Sequence, residues 1–107
     1  MKTPLTQTQI VQALKKDLSY LREKYGVERV ALYGSFAKGV HTRRSDVDIL
    51  VQLGKPLGLE FVSLADHLEE LLGRKVDLTT FETMRRGLKD PRYRHIAVDV
   101  QRTLSYV

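Results

Sequence analysis

The chain has 107 residues, 42% hydrophobic and 29% charged, and its 18 Lys and Arg against 13 Asp and Glu give a net charge of +5. That length bounds it to one domain, residues 1–107, with a modest apolar core and no separate substrate-binding domain. Without cysteine there is no disulfide framework and no thiolate for nucleophilic or soft-metal chemistry. No apolar run is long enough to span a bilayer and Met1-Lys2-Thr3-Pro4 does not open a secretory signal, so a cytoplasmic protein is expected.

In chain order, Thr6 and Gln9 have the spacing of a capping box, and Ile10, Leu14, Leu18, Leu21 and Tyr25 then form a helical stripe that stops at Gly26. Val27 to Tyr33 reads as a strand stopped by Gly34, where a missing Cβ lets a phosphate approach the backbone. Ser35 offers a hydroxyl, and a short helix over Ser35 to Lys38 would present free N–H groups and the positive end of its dipole to an anion. Lys38, Arg43 and Arg44 add positive charge nearby. A ten-residue spacer then leads to Asp46-Val47-Asp48, at the head of the apolar run Ile49-Leu50-Val51.

Side chains alternate along a strand, so Asp46 and Asp48 project to one side while Val47, Ile49 and Val51 take the other. Carboxylates so spaced can share two divalent ions, which in two-metal sites lie roughly 3.5–4 Å apart. Mg²⁺ suits them, since it prefers hard oxygen ligands and substrate phosphates. For Gly34-Ser35, at the end of one strand, to meet Asp46, at the start of the next, the two strands must run antiparallel with the spacer over the site.

Gly54 to Gly58 is a loop, and Phe61, Leu64, Leu68, Leu71 and Leu72 before Gly73 predict another helix. In Lys75-Val76-Asp77-Leu78-Thr79, Val76 and Leu78 share a face and Asp77 points to the other, where strand propensity disfavours an acid that has no function. Beside the strand of Asp46 and Asp48, Asp77 would complete three converging carboxylates, able to hold metal against developing charge and to take a proton from an attacking hydroxyl. Ile96, Val100, Leu104 and Val107 predict a last helix.

The basic cluster Arg85-Arg86, Lys89, Arg92 and Arg94 reads as a solvated loop ahead of that helix, with an acidic partner or an RNA backbone as the functional alternative. Only Tyr93 interleaves with it, which makes no stacking platform, and direct nucleic-acid binding is not expected. His41 reads as an exposed loop residue, Tyr33 as packing, Asp66 and Glu69-Glu70 as the polar face of a helix; His67 and His95 have no metal-ligand spacing.

The run Gly34-Ser35-Phe36-Ala37-Lys38-Gly39, with Ser45-Asp46-Val47-Asp48-Ile49-Leu50-Val51 and the later Asp77, resembles the signature of the DNA polymerase β-type nucleotidyltransferases, and more narrowly their minimal (MNT) branch. The likeness extends from about Ile10 to Tyr106. It implies an α/β (α+β) fold with a small mixed sheet of three or four strands flanked by helices. It assigns Asp46, Asp48 and Asp77 to catalysis and Mg²⁺, and Gly34, Ser35 and Lys38 to the nucleotide. Lys38 stands where arginine is common, which keeps the charge and loses the fork geometry. The resemblance further implies ATP as nucleotide donor and a HEPN-domain ribonuclease toxin as partner, inactivated by AMP transfer to a tyrosine hydroxyl or by binding alone. A catalytically silent nucleotide- or partner-binding subunit, and a small-molecule transferase of aminoglycoside type that builds its groove by self-association, are the alternatives.

Overall fold

Helix α1 (Gln7–Tyr25) begins where the capping box closes: Thr6 Oγ1 accepts from the Gln9 amide at 3.1 Å, and the Gln9 side chain accepts from the Thr6 amide at 2.9 Å. Two donors at the helix start are thereby satisfied without water. At its other end Gly26 takes a left-handed φ of 69° and donates to Arg22 O, the usual glycine stop. The computed structural model describes residues 6–42 and 44–107; Arg43 and Met1 to Pro4 lie outside the described residues.

The elements that follow are β1 (Val27–Tyr33), α2 (Gly34–Lys38), β2 (Val47–Leu53), α3 (Glu60–Leu72), β3 (Val76–Thr80), α4 (Phe81–Lys89), α5 (Arg94–Thr103) and β4 (Ser105–Tyr106). The strands form one mixed sheet in the order β3-β2-β1-β4. β1 runs antiparallel to both β2 and β4, and β3 runs parallel to β2. This is the small mixed sheet of four strands flanked by helices that the sequence leads one to expect.

The strand period divides the apolar side chains between two layers. Val30, Leu32, Val47, Ile49, Val51 and Val76 pack on one face against Ile10, Leu14 and Leu21 of α1 and Leu64, Leu68 and Leu72 of α3. On the other face Ala31 and Leu50 meet Phe81 of α4 and Val100 of α5. Leu71, expected on the buried stripe of α3, is 37% exposed, at a surface cleft that it shares with Gln9, Ala13 and Lys16 of α1.

Two expectations are corrected at the C-terminal end. The basic segment is no loop before a helix: Arg85, Arg86 and Lys89 ride on α4, whose start is capped by Thr80 Oγ1 accepting from the Thr83 amide at 3.0 Å. Two of its charges are used internally, Arg86 with Glu82 and Arg92 with Asp90. The final helix stops at Thr103 rather than running to Val107; Ser105 and Tyr106 pair with β1 and the Val107 amide donates to Val30 O at 2.9 Å. Among the described residues no helix is long and apolar enough to cross a membrane.

Candidate active site

The strand that ends at Tyr33 hands the chain to Gly34, which adopts φ 72°, a left-handed conformation open mainly to glycine. Tyr33 is registered against Asp48 on β2, so Gly34 emerges directly over that carboxylate. A Cβ built on Gly34 would overlap Asp48 Oδ2. Glycine is therefore required twice here, by the backbone angle and by the close approach. Helix α2 starts without a side-chain cap, leaving the amides of its first turn, Ser35 among them, to other acceptors.

After Gly39 the chain folds back through a tight turn in which Ser45 Oγ accepts from the Thr42 amide at 2.8 Å and Thr42 O accepts from the Ser45 amide at 3.2 Å. That turn delivers Asp46 to the head of β2, where Val47, Ile49 and Val51 are fully buried in the core. Parity then sends Asp48 to the opposite face, as the sequence predicts. On β3, Asp77 is registered directly beside Asp48. Asp48 thus lies between Tyr33 on one neighbour strand and Asp77 on the other, with Asp46 two residues upstream. Asp46 and Asp77 are exposed and Asp48 is partly buried.

Burial, then the charge of Asp77, then that of Asp46, push the Asp48 carboxyl up to about 6. Tyr33 sits on the same face, its hydroxyl 3.5 Å from Thr79 Oγ1. Burial raises its pKa, the Thr79 hydroxyl lowers it, and the charges of Asp77 and Asp48 raise it further.

The raised Asp48 fixes a pH dependence. In this fold Asp48 holds its proton more tightly than the ordinary carboxyl at 3.8, so the folded state binds more protons between pH 4 and 6 and stability falls as pH rises through that window. Discounted for solvent screening, the loss is on the order of 1–2 kcal/mol. Metal-free protein is expected to unfold at lower denaturant concentration at pH 7 than at pH 5, and Asp48→Asn to flatten that difference; an unchanged pH profile in the variant would contradict it.

A divalent cation would relieve this repulsion, and three hard-oxygen donors beside a turn that admits a phosphate fit Mg²⁺ chemically. Among the described residues no group of three or more such side chains is already gathered round a common metal position, so the carboxylates would have to close on the ion.

Lys38 does not point at the carboxylates: its ammonium is 3.4 Å from Asp99 on α5, in a largely exposed pair of the kind that contributes little and exchanges readily. His41 is no free loop residue. Its ring stacks on Phe36 at 4.0 Å and 11°, and its Nδ1 is buried without a hydrogen-bond partner among the described residues. His67 pins α3 to α1 through a 2.6 Å contact with Asp17, and Glu69 accepts from the Val76 amide at 2.9 Å, a contact that the polar-face reading did not contain.

Sequence reasoning passed over Arg74. Its guanidinium donates to Ser45 O at 2.7 Å and Thr42 O at 3.1 Å and lies 5.3 Å over the Phe36 ring. Nothing in its own segment signalled that reach of 29 to 32 residues. A cleft of about 610 Å³ lies at the far ends of β2 and β3 between Leu53, Lys55, Phe61, Thr80 and Arg85, away from the carboxylates.

The family model of the nucleotidyltransferase domain matches residues 14–102. A candidate protein adenylyltransferase of Methanocaldococcus jannaschii is 34% identical over 105 residues, 95% of this chain and 98% of the relative. Protein adenylyltransferase MntA of Thermococcus cleftensis is 38% identical over 85 residues, 78% of this chain and 86% of the relative. A solved structure of a candidate minimal nucleotidyltransferase superposes with TM-score 0.69 at 28% identity, over 97% of this chain and 98% of that one. Two further solved structures share the fold at lower identity. One is a toxin–antitoxin with AMP-PNP, with TM-score 0.62, 21% identity and coverage of 95% of this chain and 72% of that one. The other is a tri-AMPylated Shewanella oneidensis HEPN toxin in complex with MNT antitoxin, with TM-score 0.58, 19% identity and coverage of 91% of this chain and 70% of that one. A match across most of the chain, with the glycine turn over Asp48 and Asp77 beside it, makes this chain a member of the nucleotidyltransferase family, in its minimal branch.

Proposed function

We propose that this chain transfers AMP from ATP to a tyrosine hydroxyl of a HEPN-domain ribonuclease toxin and neutralises that toxin as its antitoxin. The observation that carries the reading is the position of Asp48, under the Gly34 backbone and directly beside Asp77. The names of the adenylyltransferase relatives support the reaction, and the toxin–antitoxin neighbours support the kind of partner.

In this reading the Gly34 backbone and the Ser35 hydroxyl hold the ATP phosphates, aligning the α-phosphorus with the incoming oxygen. Asp46, Asp48 and Asp77 would hold Mg²⁺, which supplies positive charge to the transferred phosphoryl and the leaving pyrophosphate. Asp77, on the exposed edge strand, orients the acceptor tyrosine and takes its proton. A phenol with pKa about 10 needs such help near neutrality. The tyrosine oxygen then bonds to the α-phosphorus while the bond to the β-phosphate oxygen breaks and pyrophosphate leaves. At pH 7 Asp48, near 6, is mostly ionised and able to serve as a ligand.

The test is to mix this chain with a HEPN-domain ribonuclease from the same organism, ATP and Mg²⁺, then to measure that protein's intact mass and ribonuclease activity. Mass gained in AMP units at a tyrosine, with falling ribonuclease activity, is the expected result. Full neutralisation with no gain in mass would show inhibition by binding alone.

A further inference from the structure

We infer that Arg74 is a positioning residue of the metal site: its side chain fixes the peptide that enters Asp46, while the backbone of the turn it stands in fixes the peptide that leaves it. This inference rests on the reading of Asp46 as a metal ligand.

Asp46 lies ahead of β2, outside the regular ladder, and is exposed, so neither the sheet nor the core fixes its direction. What fixes it is the turn between α3 and β3. The Arg74 guanidinium binds Ser45 O at 2.7 Å, the carbonyl of the peptide that enters Asp46. The next residue in that turn, Lys75, offers its carbonyl to the Val47 amide at 2.9 Å, the N–H of the peptide that leaves Asp46. Both peptide planes flanking Asp46 are therefore tied to the Arg74-Lys75 turn, and the direction of its Cα–Cβ bond follows from them.

The same guanidinium reaches the other parts of the site. It binds Thr42 O at 3.1 Å, so that two carbonyls of the Thr42–Ser45 turn share one cation. It also rests 5.3 Å over Phe36, the residue after Ser35, whose fully buried ring anchors α2. Two residues further on, Val76 opens the strand that carries Asp77. One side chain thus links the glycine turn, the loop before Asp46 and the strand of Asp77. Both bonds leave one nitrogen, Nη2, while the guanidinium plane stays over the Phe36 ring; a lysine ammonium can donate to the carbonyls but does not reproduce that planar contact.

Groups that orient a metal ligand from behind typically change metal affinity 10- to 100-fold when removed. The test is calorimetry of ATP binding to the free chain across a Mg²⁺ titration, for wild type, Arg74→Met and Arg74→Lys. Methionine keeps an apolar stem against Phe36 and removes every donor. Arg74→Met is expected to need roughly 10- to 100-fold more Mg²⁺ for half-saturation of ATP binding, with metal-free ATP binding unchanged, and Arg74→Lys to fall between. In Arg74→Ala, free guanidinium at low concentration is expected to restore part of the Mg²⁺ response. Should Arg74→Met melt below the assay temperature, Arg74→Lys is read by the same criterion. An unaltered Mg²⁺ requirement in folded variants, or weakening that is equal with and without Mg²⁺, would overturn the positioning role. A wild-type chain that binds no Mg·ATP would instead overturn the nucleotide reading, and this inference with it.

Discussion

Asp46→Asn or Asp48→Asn is expected to reduce AMP transfer by about 10³-fold or more while leaving the protein folded. The reasoning starts from charge. An asparagine keeps the shape of each carboxylate and removes the charge that a hard divalent cation requires, so the electrostatic stabilisation of the transition state is lost. Removing one well-placed group of that kind costs about 10²–10³ in rate, and losing a metal costs more. The stability effect has the opposite sign for Asp48, since that carboxylate is already strained by burial and by Asp77 and Asp46. A metal-free Asp48→Asn protein is therefore expected to be at least as stable as wild type at pH 7. Steady-state transfer rates and denaturant melts on the same preparations check both halves. Retained transfer in either variant would remove that carboxylate from the metal site, and a large loss of stability in Asp48→Asn would mean that its charge is structurally paired.

The second large effect is expected at Gly34, and a control is built into the fold. Gly34→Ala places a methyl group where Asp48 Oδ2 now lies, at a residue with φ 72°. Gly39→Ala carries the same kind of backbone strain, with φ 75°, but its Cβ meets nothing within 4 Å. Each substitution costs roughly 1–2 kcal/mol of stability through the left-handed backbone alone. Only the first displaces Asp48, the carboxylate proposed to hold the metal, and a displacement of about 1 Å can cost 10²-fold in rate. Gly34→Ala is expected to lose transfer by two orders of magnitude or more, whereas Gly39→Ala is expected to lose stability and keep most of its rate. Equal rates in the two variants would contradict the close approach of Gly34 to Asp48.

The parts of this fold that were legible in the sequence are those fixed by local periodicity. Thr6 and Gln9 announce α1, Gly26 ends it, and the alternation of Asp46, Val47, Asp48 and Ile49 assigns opposite faces to carboxylates and core. The neighbourhood of Asp77 and Asp48 followed from one parity argument plus adjacency of the strands. Helix α4 was passed over although Phe81, Met84 and Leu88 stand at i, i+3 and i+7, because the stripe is only nine residues long and its three basic residues and Gly87 read as a loop; the Thr80 cap and packing on α5 complete it. Strand β4 has only two residues and exists because β1 offers an unpaired edge, which no local pattern reveals. Arg74 and His41 were misjudged or missed for one reason. Each is defined by Phe36, an aromatic ring distant from Arg74 in sequence and central in the packed structure.

Transfer of the nucleotidyl group, as distinct from phosphoryl transfer, can be read from isotopically labelled ATP. Wild-type chain, a HEPN-domain ribonuclease and Mg²⁺ would be incubated in parallel with ATP labelled at the α-phosphate and at the γ-phosphate. The account predicts label on the partner only from the α-position, pyrophosphate released in equal amount, and neither product with Asp48→Asn. Label arriving from the γ-phosphate, or equal labelling by Asp48→Asn, would contradict it.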